Sequence, residues 1–469
     1  MQAFIINSNE IKSRIDPLYY SQAAFDTIKQ LRCETKKLSE LVLYFKTGFA
    51  AGKQDQDETQ KGIIQIRPTN IDSGGNLIFD KNVYISEQSK KVTTNLLQKG
   101  EILFNNTNSQ ELVGKTAYFD LDDKYLCSNH ITRIGVDESV ILPKYLQIIL
   151  NLYQRKKVFF NICTNWNNQS GINVNLLKTL DIPVPEISIQ EEVILLLDTA
   201  NQKKQQKEKE AQKLLDSIDT YILNELDIQI PEIKKSMIFI VDSKKLKNNR
   251  FDPSYFQPHF KVLEEIFSNT KNSTGVLKDL SNKITSGSTP LSGSEAYSDR
   301  ANGIAFIRSG EINPENKINF DSTLYIKSEI HNKKLKGSQL KRGDLLIAIV
   351  GATIGQVSIY DYDNEANINQ AIALVRLKDQ VNPLYVKEFL YSKIGQIQLN
   401  QIKRPVARAN INLDEIGKLK IIYPSKDVQD KMVEQTNSIR VNVEKLQQEA
   451  IEGLEKAKKQ AEEILLATN

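Results

Sequence analysis

Three cysteines, three histidines, three methionines and one tryptophan are all that occur in 469 residues, and each scarcity removes a class of chemistry. Cys33, Cys127 and Cys163 are odd in number and far apart, so reduced thiols are expected, not a disulfide framework. His130, His259 and His331 form no cluster with metal-ligand spacing, and the lone Cys127-x-x-His130 pair reads as buried structure, not as a zinc site. No apolar run approaches the roughly 20 residues that cross a bilayer. The opening "MQAFIINSNEIKSR" has no charged leader followed by an apolar stretch and a small-residue cleavage site, so a cytoplasmic location is expected.

Catalytic signatures are missing too. "GFAAGK" (48–53) is one residue shorter than a phosphate-binding loop, and Gln54 stands where Ser or Thr would hold a metal-bound phosphate. There is no glycine-rich cofactor turn of the kind methyltransferases use and no Asn-Pro-Pro-aromatic loop. A non-catalytic chain, with no metal and no cofactor of its own, is the expectation. A net charge of +4 is too weak to establish a nucleic-acid partner, and is compatible with one where the positive charge is clustered.

What the sequence does contain is a repeat. "RIDPLYY" (14–20) returns as "RFDPSYF" (250–256), "KLSELV" (37–42) as "VLKDLS" (276–281), and "KGIIQIRPTNI" (61–71) as "NGIAFIRSGEI" (302–312). "LLQKGEILF" (96–104) matches "QLKRGDLLI" (339–347), and "LVGKTAYFD" (112–120) matches "TIGQVSIYD" (353–361). "SNH" (128–130) aligns with "INQ" (368–370), "LPKYL" (142–146) with "NPLYV" (382–386), and "INVNLLKTLDIPVP" (172–185) with "INLDEIGKLKIIYP" (411–424). Each pair is separated by roughly 240 residues in the same order, the signature of a tandem duplication of one domain.

Asp16-Pro17 suits a helix start, since Asp can cap free N–H groups and Pro fits the first turn. In the second copy Pro258 would interrupt that helix, so a turn at 252–257 and a helix from about 258 to 268 are expected. Arg14 and Arg250, in the repeated phrase, suit either phosphate contact or an ion pair in the turn. The middle of each copy alternates like strands and then changes to helical spacing, which predicts an α+β fold.

Each copy is followed by helical periodicity. Met432, Thr436, Ile439, Val443, Leu446, Ala450, Gly453 and Ala457 fall at alternating four- and three-residue steps, a coiled-coil seam. The matching segment after copy one is apolar at both ends but carries "NQKKQQKEKE" (201–210), which reads either as a wet stretch of helix or as a break. The division expected is a first domain at 1–188, a helix at 189–227, a second domain at 228–427 and a second helix at 428–469. Two tandem β-rich domains would then be joined by an antiparallel helix pair of pseudo-two-fold symmetry.

Polar loops in both copies carry the residue types that read nucleic acid. Copy one offers Asn105, Asn106, Thr107 and Asn108, then Trp166, Asn167 and Asn168; Arg67 closes its "GIIQIR" strand. Copy two offers Arg308 at the same place, Ser288 and Thr289, Asn369 and Gln370, and the run Lys403, Arg404, Arg408 and Asn410. Asn and Gln pair bidentately with adenine and Arg with guanine, while hydroxyls and amides suit phosphate. Each residue also has a plainer role: Asn, Ser and Gly make turns, clustered cations make a solvated face, and Trp166 could pin its loop.

The ordered set of phrases resembles the DNA-specificity (S) subunit of Type I restriction-modification systems. "FNNTNSQELVGKTAYF", "GDLLIAIVGATIGQVSIY" and "NINQAIALVRL" are similar to that family's central segment, and "GINVNLLKTLDIPVP" and "NINLDEIGKLKIIYP" to its closing one. The resemblance implies two target-recognition domains, each reading half of an asymmetric bipartite site on double-stranded DNA, with helices setting the gap. It also implies two methyltransferase (M) subunits carrying S-adenosylmethionine and an endonuclease/translocase (R) subunit as partners, with no membrane involved. Stretches 44–60 and 104–112 differ from 282–301 and 347–352, which suggests two different half-sites. The alternatives are a self-contained modification enzyme, which would need the missing cofactor turn, and a coiled-coil scaffold, which leaves the duplicated polar loops unexplained.

Overall fold

The computed structural model describes residues 34–167, 169–231, 238–242, 251–404 and 410–467. The first repeated phrase with Arg14 and its helix start, together with Cys33, Arg250, Asn168 and Arg408, lies outside them. Two compact units are present, one of residues 1–206 with 449–469 and one of residues 207–448. Each contains part of both long helices, whereas the sequence division treats the helices as segments of their own.

In unit one the chain runs through β1 (Thr35–Lys37), β2 (Val42–Thr47), β3 (Ile63–Ile66), β4 (Tyr84–Ile85), β5 (Ile102–Asn105), β6 (Thr107–Asn108), β7 (Thr116–Tyr118), β8 (Tyr125–Cys127) and β9 (Ile131–Val136). Helices α1 (Pro143–Arg155) and α2 (Val158–Ile162), hairpin strands β10 (Thr164–Trp166) and β11 (Gln169–Gly171), α3 (Val174–Lys178) and β12 (Asp181–Pro183) lead into the long α4 (Ile187–Glu225). The sheets are β2-β9-β5-β7, β4-β3-β8, β10-β11-β6 and β1-β12. Strand β5 is buried along its whole length because both faces are covered. Ile102 and Phe104 face the helices, with Phe159 edge-on to Phe104 at 5.2 Å, while Leu103 joins Ile66, Ala117 and Phe119 on the other side. Side chains alternate along a strand, so an unbroken apolar run marks a strand sandwiched between two layers.

Unit two repeats this plan. After the turn at 252–257, in which Tyr255 N donates to Asp252 O (3.2 Å), a 3-10 turn at Pro258–Phe260 leads to helix α5 (Lys261–Asn269), close to the expected span. Then follow β13 (Ser273–Val276), β14 (Ser281–Ser286), β15 (Tyr297–Ser298), β16 (Ile304–Ile307), β17 (Leu324–Ile326), β18 (Asp344–Ala348), β19 (Val357–Tyr360), β20 (Ala366–Ile368) and β21 (Ile372–Leu377). Helices α6 (Pro383–Tyr391), α7 (Lys393–Ile402) and α8 (Leu413–Gly417), strand β22 (Lys420–Tyr423) and the long α9 (Lys426–Ala467) complete it. Its main sheet, β14-β21-β18-β19, has the order of β2-β9-β5-β7; β16 pairs in parallel with β20 as β3 does with β8; and β13-β22 repeats β1-β12.

Small devices are repeated as well. The Gln190 carboxamide accepts from Leu142 N (2.9 Å) and donates to Pro185 O (2.9 Å), tying the start of α4 to that of α1; Gln429 does the same with Asn382 N and Pro424 O, at the same distances. Asn173 caps α3 through Leu176 N, and Asn412 caps α8 through Glu415 N, each at 2.8 Å. In each copy the acid after a positive-φ glycine, Glu101 after Gly100 and Asp344 after Gly343, meets an arginine of the neighbouring strand, Arg133 or Arg376. One alignment needs correction. Ser128 N donates to Ile66 O (2.9 Å) and Asn369 N to Ile307 O (3.0 Å), so Ser128 corresponds to Asn369, not to Ile368, and Asn129 corresponds to Gln370.

Helix α4 is continuous through 201–210, a stretch without glycine or proline and made of good helix formers. On it, Gln190, Val193, Leu197, Ala200, Lys204, Lys207, Ala211, Leu214 and Ile218 are buried or half-buried at alternating three- and four-residue steps. On α9, Met432, Thr436, Val443, Ala450 and Ala457 are buried as expected, but Gly453 is exposed and half-buried Leu454 takes its place. Within unit one Val193 and Leu197 share a core with Ala457, Ala461 and Leu465; within unit two Ile218 and Ile222 share one with Met432 and Val433. Among the described residues no helix is long and apolar enough to cross a membrane.

Candidate nucleic-acid interface

Of the polar residues singled out in the sequence, Arg67 and Asn106 in unit one and Thr289, Arg308, Asn369 and Gln370 in unit two lie at or against the ends of β3 and β8, or β16 and β20. Two loops are held together there by a glycine with no room for a side chain. A Cβ on Gly48 would lie 2.2 Å from Cys127 O, and one on Gly287 would lie 1.7 Å from Ile368 O. Arg67 and Arg308 follow the equivalent strands and are held alike: Arg67 N donates to Asn70 Oδ1 (3.0 Å), and Arg308 N to Glu311 Oε2 (2.6 Å). The Arg308 guanidinium is exposed and touches Glu311 at 3.2 Å; that of Arg67 is half-buried over Gln65 Oε1 (3.4 Å), where burial lowers its pKa.

In unit one Asn106 joins the strand ends to the hairpin. Its Nδ2 donates to Asn129 O (3.2 Å) and Thr132 Oγ1 (2.9 Å), its Oδ1 accepts from Thr107 Oγ1 (2.7 Å), and Ile172 N donates to its carbonyl (2.9 Å). Thr107 and Asn108 form β6 and pair with Gly171 and Ser170. Trp166 is 45% exposed and lies over Gly171, and Asn167 turns the hairpin at a φ of 38°. Asn105 is not at this surface: it is fully buried and donates to Leu112 O (3.2 Å). Cys127 is buried as expected, which pushes its thiol up to about 12, and the described residues contain no cluster that could hold a metal ion.

In unit two Ser288 and Thr289 follow Gly287, and the Thr289 hydroxyl donates to Gln370 Oε1. Asn369 Oδ1 accepts from Ala371 N (3.1 Å), a turn-making bond. Ile349 N donates to Ala371 O (2.9 Å) and Ile411 N to Ile349 O (2.9 Å), which carries the surface on to Asn410 and Arg404 as Asn106 does in unit one. Asn410 bridges both Val350 and Arg404. The Arg404 guanidinium lies 3.0 Å from Glu415, and Lys403 Nζ donates to Asn400 Oδ1 (2.8 Å), with burial lowering the lysine's pKa. The sequence reading missed the locking glycines and Asn129, an exposed residue whose carboxamide has no hydrogen-bond partner among the described residues. Asn129 lay inside an aligned phrase, but its meaning depended on the register.

Each unit thus presents amides, hydroxyls and guanidinium groups on two joined loop systems over a rigid sheet, groups suited to base edges and phosphates. Comparison with known proteins gives this surface a context. Residues 271–452 match the model of the Type I restriction modification DNA specificity domain. A protein of Methanocaldococcus jannaschii named as the specificity subunit of type I restriction enzyme MjaX is 24% identical over 445 residues, covering 92% of each chain. The type I restriction enzyme EcoBI specificity subunit of Escherichia coli is 26% identical over 168 residues, 36% of this chain and 35% of that one. A chain from a structural study of complex assembly and conformational transition in the type I R-M system shares the fold, with a TM-score of 0.53 at 14% identity, covering 92% of this chain and 96% of its own. The domain matched in the second copy, the architecture repeated in the first and the specificity subunit aligned over 92% of each chain together indicate a DNA specificity subunit of the Type I restriction-modification kind.

Proposed function

We propose that each copy reads one half of an asymmetric, bipartite DNA site, and that the long helices pair as an antiparallel coiled coil that sets the unread gap. The observation that carries this reading is the pairing of a repeated scaffold with unrepeated loops. Sheet order, locking glycines and helix clamps recur, while Thr107 is replaced by Val350, Asn106 by Ile349 and Gly171 by Asn410 at equivalent places. Two copies with one frame and different loops suit two different half-sites.

On this reading the chain does no chemistry. It docks two methyltransferase subunits, which carry S-adenosylmethionine and flip the target adenine, and an endonuclease/translocase subunit joins the full complex. Much of the phosphate clamp would then come from the partners, in keeping with a net charge of only +4. As a ruler, seven helical residues correspond to about 10 Å, roughly three base pairs of rise.

The test is to co-express the chain with its methyltransferase subunit in a host lacking adenine methylation and map modified adenines genome-wide. A single two-part motif with a fixed gap is expected. A stable complex that methylates a continuous motif would rule the bipartite reading out.

A further inference from the structure

We propose that Asn129 and Gln370 are equivalent base-reading residues, one for each half-site, an inference that rests on the bipartite reading above. The equivalence comes from three matched contacts. Ser128 N and Asn369 N donate to the carbonyls of Ile66 and Ile307, which places Asn129 and Gln370 one residue further on. The next carbonyls, of His130 and Ala371, accept from Asn106 N (3.0 Å) and Ile349 N (2.9 Å), fixing the other side of each tip. Gly48 and Gly287 close on the preceding strand ends, Cys127 and Ile368, so tightly that neither loop can hold a Cβ there. Both tips are therefore held from two sides, and each exposes a carboxamide, that of Asn129 or of Gln370.

The free hydrogen-bonding capacity points outward. The Asn129 carboxamide has no hydrogen-bond partner among the described residues; only its backbone carbonyl is engaged, by Asn106 Nδ2 (3.2 Å). Gln370 accepts from Thr289 Oγ1, which orients the amide and leaves both of its N–H hydrogens free of described partners. A carboxamide offers one acceptor and two donors, the set that pairs bidentately with the N6 and N7 edge of adenine in the major groove. The strands before the two tips, β8 and β20, pair in parallel with β3 and β16, which Arg67 and Arg308 follow, and these arginines would supply positive charge for the DNA backbone or a guanine.

The experiment uses the complete complex with methyltransferase subunits, bound to a DNA library randomised at one base pair at a time across the wild-type motif. Asn129→Ala is expected to flatten preference at one base pair of one half-site, by roughly 10- to 100-fold, with the other half unchanged; Gln370→Ala is expected to do the same in the opposite half. The ratio between bases is the readout, because a merely structural residue would weaken binding to all sequences alike. Full discrimination in both variants, or relaxation of the same half by both, overturns the inference and leaves the bipartite reading standing. A wild-type complex without a bipartite preference overturns both.

Discussion

Removing the charge of Glu101 is the sharpest stability test of the duplicated frame. Arg133 and Glu101 are 5% and 2% exposed, and the guanidinium Nη2 donates to Glu101 Oε1 at 2.7 Å and Nε at 3.0 Å. The carboxylate also accepts from Tyr44 Oη (2.7 Å) and Gln98 N (2.9 Å), so it holds β2, β5 and β9 together. Glu101→Gln leaves a buried guanidinium without its counter-charge, facing a neutral carboxamide and backbone carbonyls such as Leu96 O at 2.8 Å. Breaking one side of such a pair costs about 3–5 kcal/mol, because the remaining charge stays buried without its counter-charge. At a urea dependence of about 2 kcal/mol per molar, the midpoint should fall by about 2 M. Trp166 is the only tryptophan and sits in unit one, so its fluorescence reports this unit. Asp344→Asn, whose partner Arg376 is 25% exposed, should cost less, read by hydrogen exchange in unit two. A shift below about 0.3 M for Glu101→Gln would refute the role given to this pair.

Burial and then the Glu101 hydrogen bond push Tyr44 up to about 12, so its contribution to stability is complete below about pH 10 and is lost as pH rises to about 12. Unfolding midpoints measured from pH 9 to 12 should fall for the wild type and fall less for Tyr44→Phe; parallel curves would contradict this. The Cys127 thiol, raised to about 12 by burial, should resist iodoacetamide at pH 8 in the folded chain and react after unfolding, as followed by mass spectrometry. Arg404→Ala should weaken DNA binding by the complex and reduce its salt dependence by about one counterion, whereas Glu415→Gln, which frees that guanidinium, should strengthen it; unchanged binding in both removes Arg404 from the interface.

The duplication was legible because its apolar phrases and turn glycines serve the same packing in both copies. Register was harder to read. "SNH" and "INQ" share an asparagine at neighbouring places, and only backbone contacts such as Asn369 N to Ile307 O show which residues correspond. Asn105 reads as a loop asparagine, yet it is buried at the end of β5, where its side chain serves the 105–112 turn. The Glu101–Arg133 pair joins residues 32 apart, and no local pattern announces it. Continuity of α4 was ambiguous because Lys204 and Lys207 fall on its seam, where apolar residues would have marked the period. Gly453 was expected on the seam of α9 by strict counting, but the buried stripe passes through Leu454 instead.

The central claim is that the two copies read separate half-sites, and a domain exchange tests it most directly. Residues 250–427 would be replaced by the corresponding segment of a specificity subunit with a known target, and the methylated motif mapped in the host lacking adenine methylation. Replacement of one half of the motif, with the other half and the gap retained, is the expected result. A motif that changes in both halves, or in neither, from a complex that still methylates would contradict it.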